Sequence, residues 1–156
     1  MRKFATLAVS LFLTYSGVTT AQTKEDTVAW IMKQATQNPY GLKHAVEDGV
    51  LESHLTLPGG IGRAADPISK AIPLGKVTAI VLTQTDKYVS FTLMCNNPCA
   101  YLLESPELKR DRFLFEIYGK FDSTYAMRLQ NALLHLVKLY GGNARATIAP
   151  KQKEPF

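Results

Sequence analysis

The chain has 156 residues, 46% of them hydrophobic and 20% charged, with a net charge of +5 and two cysteines. Domains run to about 100 to 150 residues, so one hydrophobic core fits and a second full domain does not. Basic and acidic residues are interspersed, which excludes the dense Lys/Arg runs of nucleic-acid-binding arms. Lys109-Arg110-Asp111-Arg112 comes nearest, and an acid interrupts it.

Met1-Arg2-Lys3 supplies a basic start, residues 4–15 form an almost uncharged apolar run, and Ser16-Gly17 breaks it. Thr19-Thr20-Ala21 then places small residues where a signal peptidase cuts, so residues 1–21 are read as a signal peptide and Gln22 as the mature N-terminus. The apolar run falls short of the ~20 residues that span a bilayer, so no membrane span is expected after cleavage. No cysteine flanks the cut, which argues against a lipid anchor. Loss of Arg2 and Lys3 leaves a charge of 5 − 2 = +3. Cys95 and Cys99 are an even pair, as an oxidising compartment favours. None of Asn38, Asn96, Asn97, Asn131 and Asn143 begins an Asn-x-Ser/Thr acceptor. A periplasmic protein is expected, with secretion as the alternative.

In the mature chain, residues 22–142 are read as one domain and 143–156 as a disordered tail. Thr23-Lys24-Glu25-Asp26 opens a first helix, with Thr23 as cap and Val28, Ile31, Met32 and Ala35 as its apolar stripe. Asn38-Pro39-Tyr40-Gly41 ends it. Trp30, the single tryptophan, falls off that stripe among Asp26, Lys33 and Gln37. It is either covered by another segment or an exposed anchor for a partner.

Next the period changes to that of strands. Residues 42–46 and 50–57 pair across Glu47-Asp48-Gly49, with Leu51, Leu55 and Leu57 on one face and Glu52, His54 and Thr56 on the other. Residues 77–85 are β-branched and nearly continuous in apolar character, which predicts a central strand. Asp86-Lys87 turns the chain into 88–95, where Val89, Phe91, Leu93 and Cys95 share a face, and 100–104 is the expected return strand. Beyond a break at Ser105-Pro106, residues 112–121 alternate with Phe113, Phe115 and Ile117 inward. The last element is a helix from about Ser123 to Tyr140, capped by Asp122 or Ser123 and stopped by Gly141-Gly142. Its apolar arc holds Tyr125, Leu129, Leu133, Leu136, Val137 and Tyr140, while Arg128, Asn131, His135 and Lys138 are expected in solvent.

A helix, five or six antiparallel strands in a sheet or partly open barrel, and a long C-terminal helix packed on them make an α+β fold. The order resembles a pleckstrin-homology-like barrel closed by its C-terminal helix. Asp26-Thr27-Val28-Ala29-Trp30-Ile31 and Arg128-Leu129-Gln130-Asn131-Ala132-Leu133-Leu134-His135-Leu136 also resemble the ends of small exported bacterial proteins of unknown function. That resemblance implies a non-catalytic scaffold and transfers no functional residue. A curved sheet of nuclear-transport-factor-like or cystatin-like type is the competing architecture.

Cys95-Asn96-Asn97-Pro98-Cys99 is the best-defined local motif: Asn, Asn and Pro make a turn that brings two sulfurs together at a hairpin end, so a structural disulfide is expected. Redox chemistry prefers a two-residue spacing at a helix N-terminus. Zinc through these cysteines and two of His44, His54 and His135 meets the ligand count but not the spacing of compact sites. All three histidines are read as surface residues, and no metal or cofactor is expected. Pro58-Gly59-Gly60-Ile61-Gly62-Arg63 lacks the Lys-Ser/Thr ending of a phosphate loop and reads as a surface loop. There is no Gly-x-Ser-x-Gly elbow and no identifiable carboxylate pair.

The expected function is an exported binding or interaction module, non-enzymatic, whose partner is another envelope protein or a small ligand. Candidate contact residues are Trp30, Gly59, Gly60, Ile61 and Arg63. An immunity or inhibitor protein against a toxin or wall-degrading enzyme is one alternative, and a small envelope hydrolase without a recognisable motif is another.

Overall fold

The computed structural model describes residues 23–36, 41–56 and 67–149. The signal segment, Gly59, Gly60, Ile61 and Arg63, and residues 150–156 lie outside them. In chain order the elements are α1 (Lys24–Ala35), β1 (Lys43–Glu47), β2 (Val50–Thr56), β3 (Pro67–Pro73), a 3-10 turn (Leu74–Lys76), β4 (Ala79–Gln84), β5 (Tyr88–Met94), β6 (Ala100–Leu102), β7 (Ser105–Arg110), β8 (Arg112–Tyr118), α2 (Ser123–Leu139) and β9 (Arg145–Ile148). The fold is α+β. One antiparallel sheet has the order β1-β2-β3-β6-β7 and a second has the order β8-β5-β4-β9; both keep open ends, so neither closes into a barrel.

Local chemistry sets the boundaries. Thr23 Oγ1 accepts the Asp26 backbone N–H at 3.1 Å, satisfying one of the free donors at the start of α1. Between β1 and β2, Asp48 and Gly49 both have positive φ, 46° and 80°, the two-residue turn that matches strand twist. A Cβ at Gly49 would lie 2.7 Å from the Tyr140 ring, so this turn also needs glycine for space. Asp122 caps α2 by accepting the Tyr125 N–H at 2.7 Å.

The core lies between the sheets and the helices. Phe91 stands opposite both Leu82 and Phe115 in neighbouring strands, and Val89, Leu93, Phe113 and Ile117 are buried with them. Burying each such side chain contributes about 1.5 to 3 kcal/mol. Helix α1 packs on α2, β1 and β8, while α2 packs on β4, β9 and the 3-10 turn.

The strands expected at 42–46, 50–57, 77–85, 88–95 and 112–121 are all present, but the path between them differs. Strand β6 does not return along β5; it pairs with β3 and β7 in the other sheet. The Cys95–Cys99 pair, with sulfurs at disulfide distance and Cα atoms 6.2 Å apart, therefore sits where the chain crosses between sheets and not at a hairpin end. Closing so short a ring removes unfolded-state entropy worth about 2 kcal/mol. The Ser105-Pro106 break instead opens β7, which tolerates proline because it is the edge strand of its sheet.

The first part of the segment expected as a tail, residues 143–149, is also corrected. Gly141 turns at φ 82°, and Gly142 brings its backbone close to Leu74 and Val137, where a Cβ would lie 2.7 Å from the Leu74 carbonyl oxygen. The chain is thereby directed back along β4, and Arg145–Ile148 pairs with it in parallel as β9. Buried Gln130 locks the pairing: its amide nitrogen donates to the carbonyls of Ile80, at 2.9 Å, and Thr147, at 2.8 Å. Gln130→Leu keeps the bulk but removes two hydrogen bonds, each worth about 0.5 to 1.5 kcal/mol, so the expected cost is about 1 to 3 kcal/mol. Urea melts and faster tryptic cleavage at Arg145 check this.

Candidate functional site

Trp30 lies one residue before Ile31, the centre of the buried face of α1, so its indole flanks the core and does not enter it. It is half-buried and meets Tyr125 of α2 at 6.3 Å between ring centroids, tilted by 46°. Tyr125 stacks in turn on Phe121, with centroids 5.4 Å apart and planes within 5°. The Tyr125 hydroxyl donates to Gln34 Oε1, and Gln34 Nε2 donates to the Trp30 carbonyl at 3.3 Å. Two helices are thus clamped through one aromatic and amide cluster, which holds the indole in place.

Along α2 the spacing i, i+3, i+4, i+7 puts Arg128, Asn131, Ala132 and His135 on one face. With Trp30 they line an open groove of about 350 Å³. The Arg128 guanidinium sits 5.9 Å from the Tyr125 ring centre, within cation–π range. His135 corrects the expectation of a solvated side chain, because it is half-buried and its Nε2 is shielded without a hydrogen-bond partner. A shielded polar nitrogen left unpaired costs free energy. The groove therefore offers a flat apolar surface, the donors of Arg128 and the Asn131 amide. Among the described residues lining it there is no Ser, Thr, Cys or Lys.

His44 is not a simple surface residue either, whereas the His54 side chain is 39% exposed. His44 Nε2 lies 3.2 Å from the Glu116 carbonyl, which can only accept, so Nε2 carries the hydrogen and Nδ1 accepts from Ser53 Oγ at 2.7 Å. Its ring packs edge-on against Phe115 at 4.5 Å. Desolvation by burial outweighs the backbone hydrogen bonds with Glu116 and Glu52, which raise the pKa, and pushes it down from 6.5 to about 4.

His54 joins Glu52, at 2.9 Å, to Ser69, at 3.0 Å, a carboxylate–imidazole–hydroxyl chain that sequence spacing does not reveal because Ser69 comes from β3. This order of groups is that of a serine nucleophile with its base. The surroundings oppose the chemistry. Ser69 is buried, and its own N–H donates to Glu104 Oε1 at 3.0 Å, so a carboxylate stands where an oxyanion would need donors. Among the described residues, no group of three or more His, Cys, Asp or Glu is placed to hold a metal ion, and no helix is long and apolar enough to cross a membrane.

Compared with protein-family models, curated proteins and solved structures, the chain matches none.

Proposed function

We propose that this chain is an exported, non-enzymatic binding module of the bacterial envelope, and that its partner seats in the groove between α1 and α2. The observation that carries this reading is the half-buried indole of Trp30 in one groove with Arg128, Asn131 and His135. Aromatic and arginine side chains in partly desolvated grooves are where binding free energy concentrates. A ring or flat apolar portion of the partner lies on the indole, and an adjoining acidic or hydrogen-bonding group meets Arg128, Asn131 and His135. Another envelope protein or a small ligand supplies such a group. If the partner is a toxin or a wall-degrading enzyme, the same groove makes this an immunity or inhibitor protein. Export rests on the basic start, the short apolar run and the small residues before Gln22.

Affinity capture from envelope fractions tests the reading. Trp30→Ala and Arg128→Ala are each expected to weaken retention of a captured partner about 30-fold or more, the hot-spot range, and Glu47→Ala at the exposed end of β1 to leave it unchanged. Equal retention by all three variants contradicts it.

A further inference from the structure

A second concave surface lies where β3, β6 and β7 meet β8. Its groove, of about 420 Å³, is lined by Lys70, Arg110 and Arg112 together with Ile68, Tyr101 and Leu114. None of the described residues lining it is acidic. Asp111, the acid of the β7–β8 corner, is tied to Arg112 at 3.2 Å. Aliphatic side chains stand open to solvent around these cations: Ile68 is 36% exposed, Leu114 47% and Leu108 57%. Strand alternation puts Leu108 on the same side of β7 as Arg110. The corner is also braced, because Cys95 N–H donates to the Asp111 carbonyl at 2.9 Å and Cys99 N–H to the Arg110 carbonyl at 2.8 Å. The disulfide loop thus fixes the turn from which the two arginines project.

We propose that this surface docks the protein onto an anionic phospholipid bilayer, with Ile68, Leu108 and Leu114 entering the headgroup boundary and Lys70, Arg110 and Arg112 meeting lipid phosphates. Charge complementarity selects the occupant. Lys70 and Arg110 meet no lining acid and Arg112 has only its chain neighbour Asp111, so a neutral partner would desolvate these charges without replacing their water. Anionic lipid neutralises all three and accepts the aliphatic chains as well. Leu108 decides between a bilayer and an acidic protein segment. It projects from the edge strand and not into the groove, so it needs a soft apolar phase to enter and not a shaped pocket. The surface shares no residue with the Trp30 groove, and docking through it leaves that groove free for its own partner.

Sedimentation with vesicles tests the proposal, using equal parts phosphatidylglycerol and phosphatidylcholine against phosphatidylcholine alone. Each cation near an anionic surface is worth about fivefold in partitioning, so the triple variant Lys70→Gln, Arg110→Gln, Arg112→Gln is expected to bind the mixed vesicles at least about tenfold more weakly. All three positions are at the surface, and an unchanged thermal melt shows that the fold is kept. Leu108→Ser with Leu114→Ser should lower binding several-fold while leaving its salt dependence intact. Residues 1–21 are identical in every variant, so the differences read this surface alone. Three results would overturn the proposal: a triple variant that sediments like the parent, a parent protein that binds both vesicles equally, or tighter binding to polyglutamate than to the mixed vesicles.

Discussion

Phe115→Ala is expected to destabilise the protein by about 3 to 5 kcal/mol, the largest effect of any single truncation considered. Phe115 is fully buried, stands opposite Phe91 in the register of β5 and β8, and supports the His44 ring on its other side. Removing it opens a cavity between the two sheets that rigid strand backbones cannot close. Leu114, the next residue on the same strand, points outward, and Leu114→Ala should cost about 0.5 kcal/mol or less. Urea melts of the two variants check this. Domain stabilities are only about 5 to 15 kcal/mol, so the Phe115 variant should be partly unfolded well below the parent midpoint. Equal losses at both positions would show that the assigned inner face of β8 is wrong.

Acid is expected to weaken the fold through His44 by about 3 kcal/mol in total, the worth of the gap between its ordinary pKa of 6.5 and its folded value of about 4. Below pH 6.5 the unfolded chain takes up a proton at this position, while the folded chain excludes it until about pH 4. Stability from this group is therefore fully present above pH 6.5 and is lost as the pH falls to 4. Desolvation is the main cause; hydrogen bonding to the Glu116 and Glu52 backbone only partly offsets it, and the nearby His54 adds to it. Carboxylates titrate over part of the same range, so His44→Gln is the control: the stability gap between parent and variant should narrow by about 3 kcal/mol from pH 7 to pH 4. A constant gap would mean that His44 is solvated in the folded protein.

Elements that bury one clean face were legible in the sequence. In β8, Phe113, Phe115 and Ile117 alternate against Leu114 and Glu116, and the pattern specified both strand and orientation. Helix α2 announced itself through Asp122, its apolar arc and Gly141. What stayed hidden was set by tertiary contact. All four residues of β9 are exposed, so no alternation marks it, and its strand exists because Gln130 and the β4 backbone pair with it. Gln130 itself was readable in part, because a helical wheel places it between Ala126, Leu133 and Val137, all buried. Strand β3 is bounded by Pro67 and Pro73 and mixes Ile68 with Lys70, a pattern that resembles loop. The groove was half legible: Trp30 stood out by falling off its stripe, but only the crossing of α1 and α2 shows that Arg128, Asn131 and His135 face it.

Trp30 is the single tryptophan of the chain, so its fluorescence reads the groove without interference. The most direct test of binding in this groove is iodide quenching of that emission, free and with the partner retained on affinity capture. The free protein should be measurably quenched, because the indole is half-exposed, and partner binding should shift the emission to shorter wavelength and suppress quenching. An indole that iodide cannot reach in the free protein, or quenching unchanged when the partner is bound, would contradict binding at this site.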